Sequence, residues 1–293
     1  MSAQQRLTRD QRREIAREQA RAEREARLKR ERRNKILIRG GVTLGIVGLL
    51  AAIALGFWAA TRGSGPGPLN MASGGLVLTG ADGEITPVET PNAESVDEIV
   101  PTDPDDFDAP VHIVTYLDYL CPYCGMFETA NGAYLEELVA SGQAALEVHP
   151  VTILDRASQG SDYSTRAASA AGCVAEYAPE SFLDFNAAMF AQQPAEGTRG
   201  LDSDQIAELA ANAGADSEEV AACIRETRFS GWFKADTKRV LGDDDLKNPA
   251  TGSFGTPTIM VNGERYTGAI DNPAALAAFL ADYLPEPEDD TEE

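Results

Sequence analysis

The 293-residue chain carries 47 acidic against 25 basic side chains, for a formal net charge of −22, with four cysteines and two histidines. The charge is split: residues 1–62 hold 15 basic and 6 acidic side chains, and residues 63–293 hold 10 and 41. So acidic a bulk excludes nucleic acid as its partner.

Residues 1–35 are almost entirely polar, without an aromatic, and cannot pack a core. Glu and Arg recur there at i,i+4 distances, which suits a solvated helix. The uncharged run Gly40–Ala60 is 21 residues long, about the ~20 needed to span a bilayer core. Trp58 near one end and Arg39 at the other fit the two interfaces. We therefore expect a transmembrane helix over 36–60. The alternative is a cleaved secretory signal ending near the Ala-Ile-Ala of residues 52–54, but the apolar run is longer than the ~7–15 residues of a signal core. Either reading exports the remainder, and the basic tail keeps the N-terminus on the cytoplasmic side. Residues 61–109 read as a Gly/Pro/Ser linker with a short β-hairpin around Asp82-Gly83, followed by an acidic, Pro-rich loop.

From 110 to about 285 lies one domain's worth of chain, with no internal repeat. VHIVTYL, starting at Val111, has the continuous apolar pattern of a strand buried on both faces. Helical spacing runs from Met126 to Ala140, and AALEVHPVTIL gives a second buried strand. The signals from Ser161 to about Leu241 are all helical. Asp202 or Ser203 caps one helix, which ends at Gly214, and Asp216 with Glu219 forms a capping box for the next. TPTIMVNGERYTG is a hairpin turning at Asn262-Gly263, and Pro273 opens a last helix. This order is an α/β sheet with a helical insertion between its halves. The expected segments are 110–155 and 249–285 for the two halves, 156–248 for the insertion and 286–293 for an acidic tail.

Cys121 and Cys124 stand two residues apart where the first strand gives way to a helix. A structural zinc site needs four ligands; the other cysteines, Cys173 and Cys223, are distant and single, and only His112 and His149 exist. No metal is expected. An inert disulfide closing so small a loop would constrain little. A redox role has a physical basis: Pro122 suits the first helical turn, and the free N–H groups and dipole of a helix start stabilise a thiolate. In such pairs the pKa falls from ~8.5 into the ~3.5–7.5 range, which makes Cys121 a good nucleophile and leaving group.

YLDYLCPYCGMFE, SFGTPTIMVNG and the helical insertion together resemble the DsbA-like branch of the thioredoxin superfamily, and more closely its membrane-anchored actinobacterial thiol–disulfide oxidoreductases. The resemblance spans roughly 110–284 and implies a thioredoxin fold. It makes Cys121 the attacking and leaving thiol and Cys124 the resolving thiol. Thr256-Pro257 matches the loop whose proline is cis and whose backbone pairs with an extended substrate. Tyr123 stands where the strongly oxidising relatives have His. Thr115 stands where the superfamily often has a buried acid, leaving Asp118 either as a proton relay or as a surface or capping carboxylate. His149 reads as a structural histidine. Related enzymes carry a second pair like Cys173 and Cys223, and in an oxidising compartment pairing is expected, with two separate buried thiols as the alternative.

The resemblance implies an extracytoplasmic, membrane-anchored monomer without cofactor that donates the Cys121–Cys124 disulfide to exported, reduced proteins. A quinone-linked membrane oxidase of the vitamin K epoxide reductase type would regenerate it. The alternatives are an isomerase or reductase kept reduced, or a redox-silent thioredoxin-fold module that grips extended chains.

Overall fold

The computed structural model divides into two compact units, Met1–Gly63 and Ser64–Glu293, and describes residues 65–285 with the helical positions Arg24, Arg27 and Lys29. The expected transmembrane run at 36–60 and the acidic tail at 286–293 lie outside the described residues. Among those described, no helix is long and apolar enough to cross a membrane.

Six strands form one mixed sheet: β1 (Leu76–Ala81), β2 (Glu84–Pro87), β3 (Val111–Leu117), β4 (Ala144–Pro150), β5 (Thr258–Val261) and β6 (Glu264–Arg265). Their order is β2-β1-β4-β3-β5-β6. β3 runs parallel to β4 and antiparallel to β5. The seven residues of β4 are all buried, as are six of the seven in β3, because helices cover both faces and leave no solvated side to alternate towards.

The hairpin expected within a linker belongs to the sheet. Asp82 and Gly83 turn it with φ of 56° and 90°, the left-handed pair of a tight hairpin turn. β1 then pairs antiparallel with β4, setting Leu76 opposite Val148. An isolated hairpin is marginal in water, and burial of Leu76, Val77 and Leu78 against the sheet is what holds this one. At the other edge Asn262 and Gly263 repeat the turn, at φ 47° and 82°. The Asn262 Oδ1 accepts from the His112 N–H at 2.7 Å, pinning that hairpin to β3.

Helix α1 (Pro122–Ala140) begins four residues earlier than the apolar spacing suggests, with Cys121 in the capping position and Pro122 in the first turn. β4 stops at Pro150 rather than continuing to Leu154. The insertion comprises α2 (Tyr163–Tyr177), α3 (Phe182–Ala191), α4 (Ser203–Asn212), α5 (Glu218–Glu226) and α6 (Ser230–Gly242). The Ala-rich α2 buries twelve of its fifteen residues and is the insertion's central helix. Asp202 and Gln205 make a reciprocal capping box on α4. Ser217, not Asp216, caps α5: its hydroxyl accepts from the Val220 N–H at 3.2 Å, one residue later than expected. Cys173 in α2 and Cys223 in α5 are fully buried and joined as a disulfide, with Cα atoms 5.8 Å apart. Asn272 caps α7 (Pro273–Leu280), its Oδ1 accepting from the Ala274 N–H.

Candidate active site

The end of β3 delivers the chain into a tight turn in which the Cys121 N–H bonds the Asp118 carbonyl at 2.9 Å. The Cys121 carbonyl then accepts from the N–H groups of Cys124 and Gly125, which starts α1. The structure holds Cys121 and Cys124 as two thiols. Cys121 is 4% and Cys124 2% exposed, whereas Tyr123 is 61% and Met126 42% exposed. The sulfurs thus lie at the floor of a rim formed by Pro122, Tyr123 and Met126.

The loop before β5 closes the other side. Thr256-Pro257 is a cis peptide, and the Thr256 carbonyl lies 3.3 Å from the Cys121 Sγ. The Cys121 thiol is drawn down to about 6. The Cys124 S–H donating to its sulfur contributes most; the Thr256 side chain and the N–H groups of Cys124 and Tyr123 add to this against the cost of burial. Burial pushes the Cys124 thiol well up, and its bond to Cys121 adds to that. Two thiols split in this way form one thiolate and one reserve proton donor.

Asp118 is fully buried, which corrects the surface reading. Its Oδ1 accepts from the Leu120 N–H at 2.9 Å and its Oδ2 from the Leu154 N–H at 3.0 Å, tying the active-site turn to the chain after β4. Burial nevertheless raises its carboxyl to about 7. It caps no helix, since Cys121 holds the capping position of α1 without a side-chain bond; its role in the turn is that of an anchor.

A further contact comes from the insertion. Gln193, just past α3, donates from Nε2 to the Tyr119 carbonyl at 3.1 Å and to the Cys121 carbonyl at 2.9 Å. No sequence signal points to it, because it lies more than 70 residues from the turn it touches. Another group escaped the sequence reading. Glu147 of β4 is 2% exposed, and its two oxygens meet His112 Nε2 at 2.9 Å and His149 Nε2 at 2.8 Å. The Ser73 hydroxyl also donates to it. The histidines address different oxygens of one carboxylate, and no group of His, Cys, Asp or Glu among the described residues is arranged to hold a metal ion. Strand alternation puts this cluster, with Tyr116 stacked on His149 at 4.5 Å, on the sheet face away from α1.

A family model for thioredoxin matches residues 106–282. The chain belongs to the thioredoxin family, in its DsbA-like branch. DsbA of Mycobacterium tuberculosis, in its oxidised crystal form, is 30% identical with a TM-score of 0.55; the match covers 73% of this chain and 94% of that one. The reduced disulfide bond oxidoreductase DsbG of the same organism is 34% identical with a TM-score of 0.51, covering 63% and 83%. Among curated sequences, the serine/threonine-protein kinase PknE of M. tuberculosis is 31% identical over 155 residues, or 52% of this chain. The chain spans 26% of that kinase's length.

Proposed function

We propose that this chain is an extracytoplasmic thiol–disulfide oxidoreductase that donates the Cys121–Cys124 disulfide to exported proteins. The observation that carries this reading is a Cys121 thiol drawn down to about 6 at a helix start, 3.3 Å from the backbone of a cis-proline loop. A substrate thiolate attacks Cys121 Sγ, the S–S bond breaks, and Cys124 leaves with the electron pair and is then protonated. The substrate's second thiolate attacks the mixed disulfide at its own sulfur, and Cys121 departs as a stabilised thiolate. The substrate loses two electrons, and both active-site cysteines end reduced.

In this reading Asp118 takes and returns the proton of Cys124, Thr256 and Pro257 align an extended substrate strand, and Tyr123 tunes the poise from the rim. Residues 36–60 anchor the chain, and a quinone-linked membrane oxidase removes the electrons. The test is single-turnover oxidation of a reduced two-cysteine protein by the oxidised chain. Cys121→Ser should abolish it, and reduced Cys124→Ser given the substrate in its disulfide form should accumulate the mixed disulfide, the Cys121 thiolate displacing one substrate sulfur. Transfer that persists without Cys121 would refute the assignment. Alkylation trapping in cells should find the pair mostly oxidised; a mostly reduced pair would make the chain an isomerase or reductase instead.

A further inference from the structure

The helical insertion grips the active-site turn at two points. Tyr119, fully buried, sets its ring tilted against Phe190 and edge-on to Phe185 of α3, with centroids 5.1 Å and 6.4 Å away. Gln193, its own N–H bonded to the Phe190 carbonyl, reaches the carbonyls at both ends of the Tyr119–Cys121 segment with one amide nitrogen. α1 is shaped to admit that amide. A Cβ placed on Gly125 would lie 2.4 Å from the Gln193 Oε1 and 3.2 Å from its Cδ. A glycine in the first turns of a helix costs up to ~1 kcal/mol against alanine, so something must favour the bare position, and the space it leaves is filled by this one side chain.

We propose that Gln193 is a positioning residue through which the insertion holds the Cys121 turn in its reactive geometry, and that Gly125 is the gap that lets it in. The two carbonyls flank the thiol that the proposed exchange uses, so the inference rests on Cys121 being the reactive sulfur. With the amide in place, the carbonyls at both ends of the turn share one donor. The Cys121 N–H to Asp118 bond and the approach of Sγ to Thr256 are then fixed together. Without it the Tyr119 carbonyl loses this donor and is free to turn towards a developing thiolate and disfavour it, while the Cys121 carbonyl keeps its bonds from the Cys124 and Gly125 N–H groups.

The experiment is a pH titration of Cys121 alkylation in the reduced protein, with its thermal midpoint recorded alongside. The variants are Gln193→Ala, Gly125→Ala and the pair together. Gln193→Ala removes the amide, and Gly125→Ala places a methyl 2.4 Å from its Oε1 and forces it to shift while leaving it in the sequence. Each should raise the Cys121 midpoint by about half a pH unit, which is roughly a threefold loss of thiolate below the midpoint. Because alanine is the better helix former, the Gly125→Ala shift should not follow its thermal midpoint. The double variant should shift no further than either single one, since both changes remove one contact. Gln193→Glu, which turns an acceptor towards two carbonyls, should raise the midpoint more than Gln193→Ala. Unchanged midpoints in the single variants, or fully additive shifts, overturn the proposal while leaving Cys121 as the reactive thiol. A wild-type thiol that titrates near 8.5, like free cysteine, would take down both this proposal and the reading of the site.

Discussion

At the scale of single residues, the site sets its redox poise with few charges. Cys121 is stabilised by S–H and N–H donors, with no cationic side chain among the causes. Tyr123, exposed on the rim, cannot supply a positive charge, whereas histidine can. Tyr123→His should therefore lower the Cys121 pKa and raise the reduction potential together. A shift on the order of 30 mV would match about 1.4 kcal/mol, scaled down by solvent at so exposed a position. Equilibration with glutathione buffers measures it, and a less oxidising variant would show that the helix start alone sets the poise. Asp118 gives a second test. Its carboxyl releases its proton near 4 in the unfolded chain but near 7 when folded. Its contribution to stability is therefore full below about 4 and is lost as pH rises through about 7. Asp118→Asn should flatten that decline in denaturant titrations of the disulfide form, in which Cys121 does not titrate. The slope is the readout, because the new NH2 group also faces an N–H and weakens the turn at every pH. The two cysteines and Pro122 were legible in the sequence because their signal is local, and the Thr256-Pro257 loop because it matches a family pattern. Gln193 was not, since nothing short of the fold brings it to residue 121.

At the scale of elements, the sheet was readable as strands but not as pairings. VHIVTYL and AALEVHP announce buried strands by composition, and Asn262-Gly263 announces its turn. The LVL of β1 carries the same signal in miniature, yet its partner lies some 70 residues away, and a hairpin beside a Gly/Pro-rich stretch reads equally well as part of a linker. Its attachment is reinforced by Ser73, just before β1, which donates to Glu147. Burial opposes a charge on Glu147, but His149, His112 and Ser73 together outweigh it and hold the carboxyl well below the usual range. A depressed carboxylate stabilises the fold above its unfolded value of ~4.3 and loses that contribution as pH falls. Glu147→Gln should remove this acid dependence. It should also destabilise the fold by about 1–3 kcal/mol, the usual result of leaving buried hydrogen-bonding partners unsatisfied. The cluster lies on the face away from α1, so the Cys121 titration should stay in place. A moved titration would mean that the two faces of the sheet are coupled.

At the scale of the whole molecule, the insertion is a helical body with its own covalent tie. The Cys173–Cys223 bond spans 50 residues, and closing a loop of that length restricts the unfolded chain by about 4 kcal/mol. Cys173→Ala with Cys223→Ala should lose up to that amount in denaturant unfolding, and a loss near zero would mean that packing around α2 already suffices. The bond also gives the protein a place in its own chemistry. Each new copy is made with four thiols, two of which must be oxidised before its core is complete, so an immature copy presents the kind of dithiol that a mature one is proposed to oxidise. Supply would then be self-reinforcing: the rate at which copies mature would grow with the number already mature. Adding one equivalent of the oxidised chain to reduced Cys121→Ser/Cys124→Ser protein should speed formation of the Cys173–Cys223 bond, read by mass after alkylation. An unchanged rate would assign that first oxidation to another oxidant.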